Sequence, residues 1–400
     1  MGNCLVAQSG GPTSVINATI AGIIQANQLN PIYEHVYGGL HGIEGILNQD
    51  FVDLTNLSDY DIRILKQTCA SALGSCRYKL KRDNTEDFEK IIAIMEAYDI
   101  DTLFYTGGND SMDTVAALSE YAYNHGITGH RFIGCPKTVD NDLVITDHCP
   151  GYGSAAKFLV NVVRTTWLDV NVYEREEVFI LETMGRDAGW LAASTVLSGK
   201  VDLLILPEVP FDKQRFLEQV RQIVEAHQHC YIVVSEGARY ADGTYIAASE
   251  ARNDGFGHAV LGGAGDAIKN MILEAGAAKR AKVQDMCTLQ RCYSPAQSLT
   301  DVEESFRLGM SAHMHSADPD FTGEMVAGVR PEEGPYSPIF ITAPAGSAAN
   351  YVKHVPEEWI LPDYEGMSGE FYEYALPLIQ GEPDTVYENG VIVQLEPFYL

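Results

Sequence analysis

The stretch Pro136-Lys-Thr-Val-Asp-Asn-Asp142 gathers two carboxylates, a hydroxyl and a cation into a few consecutive residues. In an extended backbone, residues i and i+2 point the same way, so Thr138, Asp140 and Asp142 are expected on one face while Asn141 turns away. Carboxylates held side by side repel. That raises one pKa and suits a general base with a supporting partner, or a divalent cation. Lys137 adds a positive charge beside them. A solvated acidic loop built from Asx turns is the competing account of the same residues.

Two glycine pairs follow short apolar runs: Gly10-Gly11, and Gly107-Gly108-Asn109-Asp110-Ser111. Each is read as leading at once into a helix, which would offer backbone N–H groups and a positive dipole end to an anion. A purely structural tight turn asks for the same residues. Arginines are scarce here, so their company is informative: Arg77 follows a Gly-Ser turn, and Arg186 closes Met184-Gly185-Arg186. A guanidinium in such a turn can clamp a phosphate through two hydrogen bonds. Glycine turns and arginines together point to a site for more than one phosphoryl group.

Short buried-looking strands alternating with helices must position these turns. Strands are predicted at Cys4–Gln8, Ile32–Tyr37, Thr102–Tyr105, Phe132–Cys135, Val178–Leu181, Leu203–Leu206 and Tyr231–Val234. Helices are predicted at Val15–Gln28, Thr85–Tyr98, Ser111–His125, Ala155–Leu168, Lys213–His227 and Gly262–Ala277. This alternation reads as an α/β protein with two doubly wound lobes and largely parallel sheets, the chain crossing between them near Thr146–Gly153. In such folds ligands sit beyond the carboxyl ends of the strands, where the glycine turns fall. From about Pro331 the chain is rich in Pro, Glu and Tyr and reads as a less regular tail.

Composition limits the partners. The 27 Lys+Arg against 55 Asp+Glu give a net charge of −28. Nucleic acids and anionic membranes are opposed by such a balance, because both are bound mainly through basic residues. A small phosphate ester remains possible where a few cations and N–H groups are gathered locally. Eight scattered cysteines without a Cys-x-x-Cys pair read as reduced structural thiols. No run approaches the length of a spanning helix, and the opening stretch has no basic flank, so a soluble cytoplasmic protein is expected.

The motifs also occur in a known order. Gln8-Ser-Gly-Gly11 with Asn17-Ala18, Gly74-Ser-Cys-Arg77, Gly107-Gly-Asn-Asp-Ser111, Pro136 to Asp142, Thr146-Asp147, Met184-Gly-Arg186, Ser235-Glu-Gly237 and Gln290-Arg291 resemble the phosphofructokinase family from about residue 2 to about residue 310. The resemblance implies phosphoryl transfer to the 1-hydroxyl of fructose 6-phosphate in a cleft between two Rossmann-like lobes. Asp140 matches the family's catalytic base, Asp142 its supporting carboxylate, and Thr138 the hydroxyl that contacts the transferred group. Met184, Gly185, Arg186, Glu236 and Arg291 match the sugar-phosphate side; Gly11, Arg77, Gly108 and Ser111 match the donor side. The donor lobe is then expected from about 1–150 with 286–330, and the sugar-phosphate lobe from about 151–285 with the extension 331–400.

Two positions bear on the donor. Asp110 stands where ATP-dependent relatives have a residue of glycine size, and a carboxylate there would meet a nucleotide's α-phosphate and ribose. Lys137 stands where those relatives have Gly, and it can neutralise a compact pyrophosphate. The pair resembles the pyrophosphate-dependent branch, which implies a reversible reaction. Mg²⁺ is expected; Asn109 stands where many members have the Asp that holds it, so either Asp110 takes that role or the ion is held chiefly by pyrophosphate and water. Thr288, Lys282 and Glu177 fall where other members place 6-phosphate contacts, with Arg175 close by, so that pocket departs from the family pattern. A homodimer or higher homo-oligomer is implied, because neighbours often share those contacts. An ATP-dependent or sedoheptulose-7-phosphate kinase is the alternative. A noncatalytic regulatory subunit is a further one, opposed by the retention of Asp140, Asp142, Lys137 and Arg186.

Overall fold

The computed structural model describes residues 2–247 and 262–400. Its strands are β1 (Asn3–Gln8), β2 (Val36–Gly39), β3 (Phe51–Asp53), β4 (Ile100–Gly107), β5 (Arg131–Pro136), β6 (Glu177–Thr183), β7 (Leu203–Ile205), β8 (His229–Ser235), β9 (Ala281–Asp285), β10 (Glu324–Val329) and β11 (Ile339–Pro344). They form a seven-stranded sheet of order β11-β10-β5-β4-β1-β2-β3 and a four-stranded sheet of order β7-β8-β6-β9. The smaller sheet is parallel throughout; the larger is parallel except for its two edge strands, β3 and β11. The α/β reading with two lobes is therefore right.

Every residue of β1 and of β6 is buried. Continuous apolar runs of this kind belong to strands covered on both faces, which the crossover helices supply. The helix Ile16–Leu29 covers one face of the larger sheet and packs against Leu299–His315, with Gly22 and Gly309 at the crossing. A Cβ on Gly22 would fall 2.0 Å from the Phe306 carbonyl, so the close approach requires glycine there. In the second lobe Trp190 stacks among Trp359, Phe371 and Tyr374 at 5.2–6.4 Å between ring centroids. Each such ring contact adds about 1 kcal/mol beyond the area it buries.

Three expectations change. The second strand begins at Val36 and not Ile32, because the Asn27 side chain takes the N–H groups of Ile32 and Tyr33 and donates to the Tyr33 carbonyl. That pairing replaces a sheet ladder. The helix after Gly10-Gly11 begins only at Ile16, whereas Asn109–Asn124 does start directly after Gly108. Finally, residues beyond 331 do not travel as one unit. β11 extends the larger sheet, the helix Gly369–Ala375 packs into the second lobe's core, and Leu395 and Phe398 return to the first.

Candidate active site

The carboxyl ends of β1, β4 and β5 in one lobe and of β6 and β8 in the other open onto a cavity of about 360 Å³. Of the residues predicted for the site, Gly11, Arg77, Gly108, Asn109, Asp110, Ser111, Lys137, Thr138, Asp140, Asp142, Met184, Arg186, Glu236 and Arg291 all line it. Gly185 sits just behind, with a φ of 124° that favours glycine.

On the first lobe's wall, Gly10 adopts a φ of 75°, and the segment carrying Arg77 fastens the turn: the Gly10 N–H donates to the Cys76 carbonyl at 3.1 Å and the Ser75 hydroxyl to the Gly10 carbonyl at 2.6 Å. That segment is itself tied down by Gln8 and Asn17, whose side chains pair at 2.9 Å and bond the backbone of residues 68–73. The Lys137 ammonium donates to the carbonyls of Ser9 and Gly11 at 2.8 and 2.7 Å. Burial pushes its pKa down to about 7, and Arg291 adds repulsion. A Cβ on Gly11 would come 2.8 Å from the Arg291 guanidinium, so this turn leaves its backbone open to whatever that cation holds. Asp110 lies in the first turn of its helix, where a carboxylate suits the dipole, and pairs with Lys79 at 3.2 Å.

The carboxylate loop corrects the extended-chain expectation. Residues 138–141 form a tight turn, with the Asp140 N–H bonded to the Thr138 hydroxyl at 3.1 Å and Asn141 left-handed at a φ of 56°. Asn141 does point away: its amide is buried, donating to the Tyr374 hydroxyl at 2.8 Å and accepting from the Cys149 N–H at 2.9 Å. Asp140 and Asp142 therefore reach the cavity through a turn and not through strand alternation. Asp140 Oδ1 is buried without a hydrogen-bond partner among the described residues. Burial raises the Asp140 pKa to about 7, with the charges of Asp142 and Glu236 adding to the effect; burial raises Asp142 as well. A carboxyl that ionises near neutrality and keeps an open lone pair is equipped to accept a proton from a bound hydroxyl.

Across the cleft, Glu236 begins where β8 ends and accepts from the Gly185 N–H at 3.3 Å. Burial pushes it up to about 7. A Cβ on Gly237 would fall 1.7 Å from the Arg186 carbonyl, so a glycine is needed to let the two loops touch. The Met184 N–H donates to the Gln290 side chain at 3.1 Å, which ties the arginine-bearing turn to the segment that carries Arg291.

Thr288, Lys282 and Glu177 do not line the cavity. Glu177 opens β6 at the end away from the site, about 20 Å along the strand from Thr183. It pairs there with Lys282 at 3.0 Å and with Arg175 at 3.7 Å. Sequence reasoning missed Lys79, Asp187 and the tail residues Asn350, Tyr351 and Val352, all of which line the cavity. Lys79 lies two residues from Arg77 and was findable; the tail residues carry no motif.

For a divalent cation, the cavity offers the Asp110 carboxylate and Asn109 Oδ1, which is buried and has no hydrogen-bond partner among the described residues. Among the described residues no group of three or more His, Cys, Asp or Glu side chains converges on one point. One or two hard oxygens fit an ion that takes its remaining ligands from phosphate and water, as Mg²⁺ does, and do not fit an all-protein cage.

Two doubly wound lobes that close over glycine turns, arginines and a paired carboxylate define a phosphotransferase of the sugar-phosphate type. The profile of the phosphofructokinase family matches residues 3–315, and the chain belongs to that family. It is 39% identical to the pyrophosphate–fructose 6-phosphate 1-phosphotransferase of Halomonas elongata, over 97% of this chain and 94% of that protein. Identity to the enzyme of the same name from Methylococcus capsulatus is 40%, with the same coverage. Among solved structures, the pyrophosphate-dependent phosphofructokinase of Nitrosospira multiformis superposes with a TM-score of 0.89 at 34% identity, covering 100% of this chain and 97% of that one.

Proposed function

We infer that the chain transfers a phosphoryl group from pyrophosphate to the 1-hydroxyl of fructose 6-phosphate, giving fructose 1,6-bisphosphate and phosphate. The observation that carries this reading is the buried Asp140 Oδ1, without a hydrogen-bond partner among the described residues, between a wall of glycine turns and a wall bearing Arg186 and Glu236. Asp140 takes the proton as the sugar oxygen bonds to phosphorus and the bridging P–O bond of pyrophosphate breaks. Asp142 supports it electrostatically, and Thr138 contacts the moving group. Gly11, Arg77, Gly108, Ser111 and Lys137 hold the donor; Met184, Gly185, Arg186, Glu236 and Arg291 hold the sugar phosphate. Alignment and charge neutralisation of this kind account for most of the catalysis in phosphoryl transfer.

Asp110 and Asn109 would hold Mg²⁺, which when bound neutralises phosphate charge. Lys137 is buried with its ammonium against two carbonyls, and an anion in the cavity offsets the desolvation that depresses its pKa. Its neighbour Asp110 narrows and charges the space a nucleotide would need. The reaction runs in both directions, in the cytoplasm. Among the described residues no helix is long and apolar enough to cross a membrane. A homo-oligomer fits the placement of Thr288, Lys282 and Glu177 off the cavity, which leaves room for a second copy to supply a 6-phosphate contact.

The first lobe, 1–150 with 286–330, carries the donor, and 151–285 carries the sugar phosphate. The test is a coupled assay of purified protein with fructose 6-phosphate and Mg²⁺, comparing pyrophosphate with ATP. Turnover with pyrophosphate is expected; turnover with ATP alone would overturn the roles of Asp110 and Lys137.

A further inference from the structure

The segment 350–355 lies beyond the residues matched by the family profile, yet it reaches the carboxylate loop. Its Lys353 N–H donates to the Asp142 carbonyl at 2.7 Å, and its Lys353 carbonyl accepts from the Trp190 indole at 2.7 Å. Two residues on, the Val355 N–H donates to Glu208 Oε1 at 3.0 Å, the oxygen that also takes the Gly189 N–H. The segment thus bonds the loop of one lobe and the core of the other.

The Lys353 ammonium hydrogen-bonds that loop three times and also lies over the Trp190 ring, 5.2 Å from its centroid. The ammonium donates to Asn141 Oδ1 at 3.3 Å, to the Thr146 carbonyl at 3.2 Å and to the Asp147 carbonyl at 2.8 Å. Tyr374, also beyond the family core, accepts from the Asn141 amide at 2.8 Å and donates to the Asp147 carbonyl at 2.9 Å. Asn141 is the left-handed residue between the two carboxylates. A non-glycine residue there costs on the order of 1 kcal/mol and persists only when its surroundings fix it. If packing alone were at stake, an apolar side chain would fill the space without the penalty of burying a cation.

We propose that Lys353 is a positioning residue for phosphoryl transfer: together with Tyr374 it fixes the turn at Asn141 that aims Asp140 and Asp142 into the cavity. The C-terminal extension is on this account part of the active site and not only a packed tail. The inference rests on the reading of Asp140 and Asp142 given above.

The test uses the full chain with pyrophosphate, fructose 6-phosphate and Mg²⁺, measuring kcat, both KM values and thermal unfolding for wild type, Lys353→Met, Lys353→Ala and Tyr374→Phe. Loss of a charged hydrogen-bond set predicts that Lys353→Met lowers kcat about 10- to 100-fold with both KM values within about threefold. Ethylammonium is expected to restore part of the kcat of Lys353→Ala, a rescue that a merely structural role would not give. Should the lysine variants fail to fold, Tyr374→Phe carries the test, with kcat lowered about threefold or more at unchanged KM. Wild-type kcat in a folded Lys353→Met or in Tyr374→Phe would overturn the proposal. So would kcat and KM failing in step with thermal stability and without amine rescue. A wild type inactive with pyrophosphate would instead remove the functional reading itself, which separates the two failures.

Discussion

The loop from Lys137 to Cys149 has two sides that treat charge in opposite ways. On the cavity side, Asp140 and Glu236 are pushed up to about 7 and Lys137 down to about 7, each chiefly by burial. On the far side, the Asp147 carboxylate takes the Arg330 guanidinium at 3.2 Å through both oxygens, and His148 lies between Asp147 at 3.0 Å and Glu304 at 2.7 Å. Burial alone would raise Asp147, but the hydrogen bonds from His148 and Arg330 prevail and hold it near 2. Burial alone would lower His148, but its two carboxylate partners raise it to about 9. The far side is a satisfied network that holds shape. The cavity side is left short of partners, which a divalent cation and two phosphorylated substrates can supply.

The sharpest way to break this contrast is Asp140→Asn, which keeps shape and removes the proposed base. Turnover should fall about 10³-fold while fructose 6-phosphate binding stays within a few fold. Because the folded-state pKa of Asp140 is raised, its ionised form costs stability as pH rises from 3.8 through about 7. The variant should therefore melt no lower than wild type at pH 8 without ligands. Turnover within tenfold of wild type would remove Asp140 from its role.

Next in size is the donor. Replacing both Asp110 and Lys137 by Gly should lower kcat/KM for pyrophosphate about 100-fold and raise ATP turnover above the wild-type background, because one change opens space and the other removes the anchoring cation. A double variant that loses pyrophosphate activity without gaining any with ATP would show that these positions bind the donor but do not select it.

The two sides also differ in how far the sequence discloses them. Gly10-Gly11, Lys137, Asp140, Asp142 and Arg186 were legible because their chemistry needs particular residue types close together on turns that follow strands. The helices were legible wherever a 3.6-residue period ran unbroken; Lys213–His227 is predicted with the bounds the structure shows. The strand at Val36 was misplaced because Asn27 intervenes through its side chain, which periodicity does not register. Leu299–His315 and β9 to β11 went unpredicted, the last two lying past the main alternation. Lys353 and Tyr374 were invisible for a different reason. They act on Asn141 across 212 and 233 residues of chain, and neither belongs to a local pattern.

A smaller effect separates the carboxylates on the cavity side. A base must be deprotonated to act, so kcat/KM for fructose 6-phosphate should fall up to tenfold per unit as pH drops below about 7, where Asp140 takes up its proton. The Glu236 charge is one of the causes that raise Asp140. Glu236→Gln should therefore move the acid limb to lower pH, besides weakening sugar binding. A limb that stays in place or moves up would show that the two carboxyls do not communicate through the cleft.

The smallest effect tests the far side through stability alone. His148 has a raised folded-state pKa, so its contribution is fully present below 6.5 and is lost as pH rises to about 9. Asp147 has a depressed one, so its contribution is present above 3.8 and is lost as pH falls toward 2. Each shift is on the order of 1–3 kcal/mol, a few degrees of melting temperature. Wild type should therefore lose a few degrees between pH 6.5 and 9 from this network. Asp147→Asn should flatten that slope, because a neutral amide holds the imidazolium less tightly, while lowering the plateau near pH 6. Unlike the cavity-side changes, this one leaves every group that lines the cavity in place, so turnover measured well below the melting temperature should fall far less than in Asp140→Asn. An alkaline slope undiminished in Asp147→Asn would show that the Asp147 carboxylate does not hold the His148 charge, and would erase the contrast between the two sides of the loop.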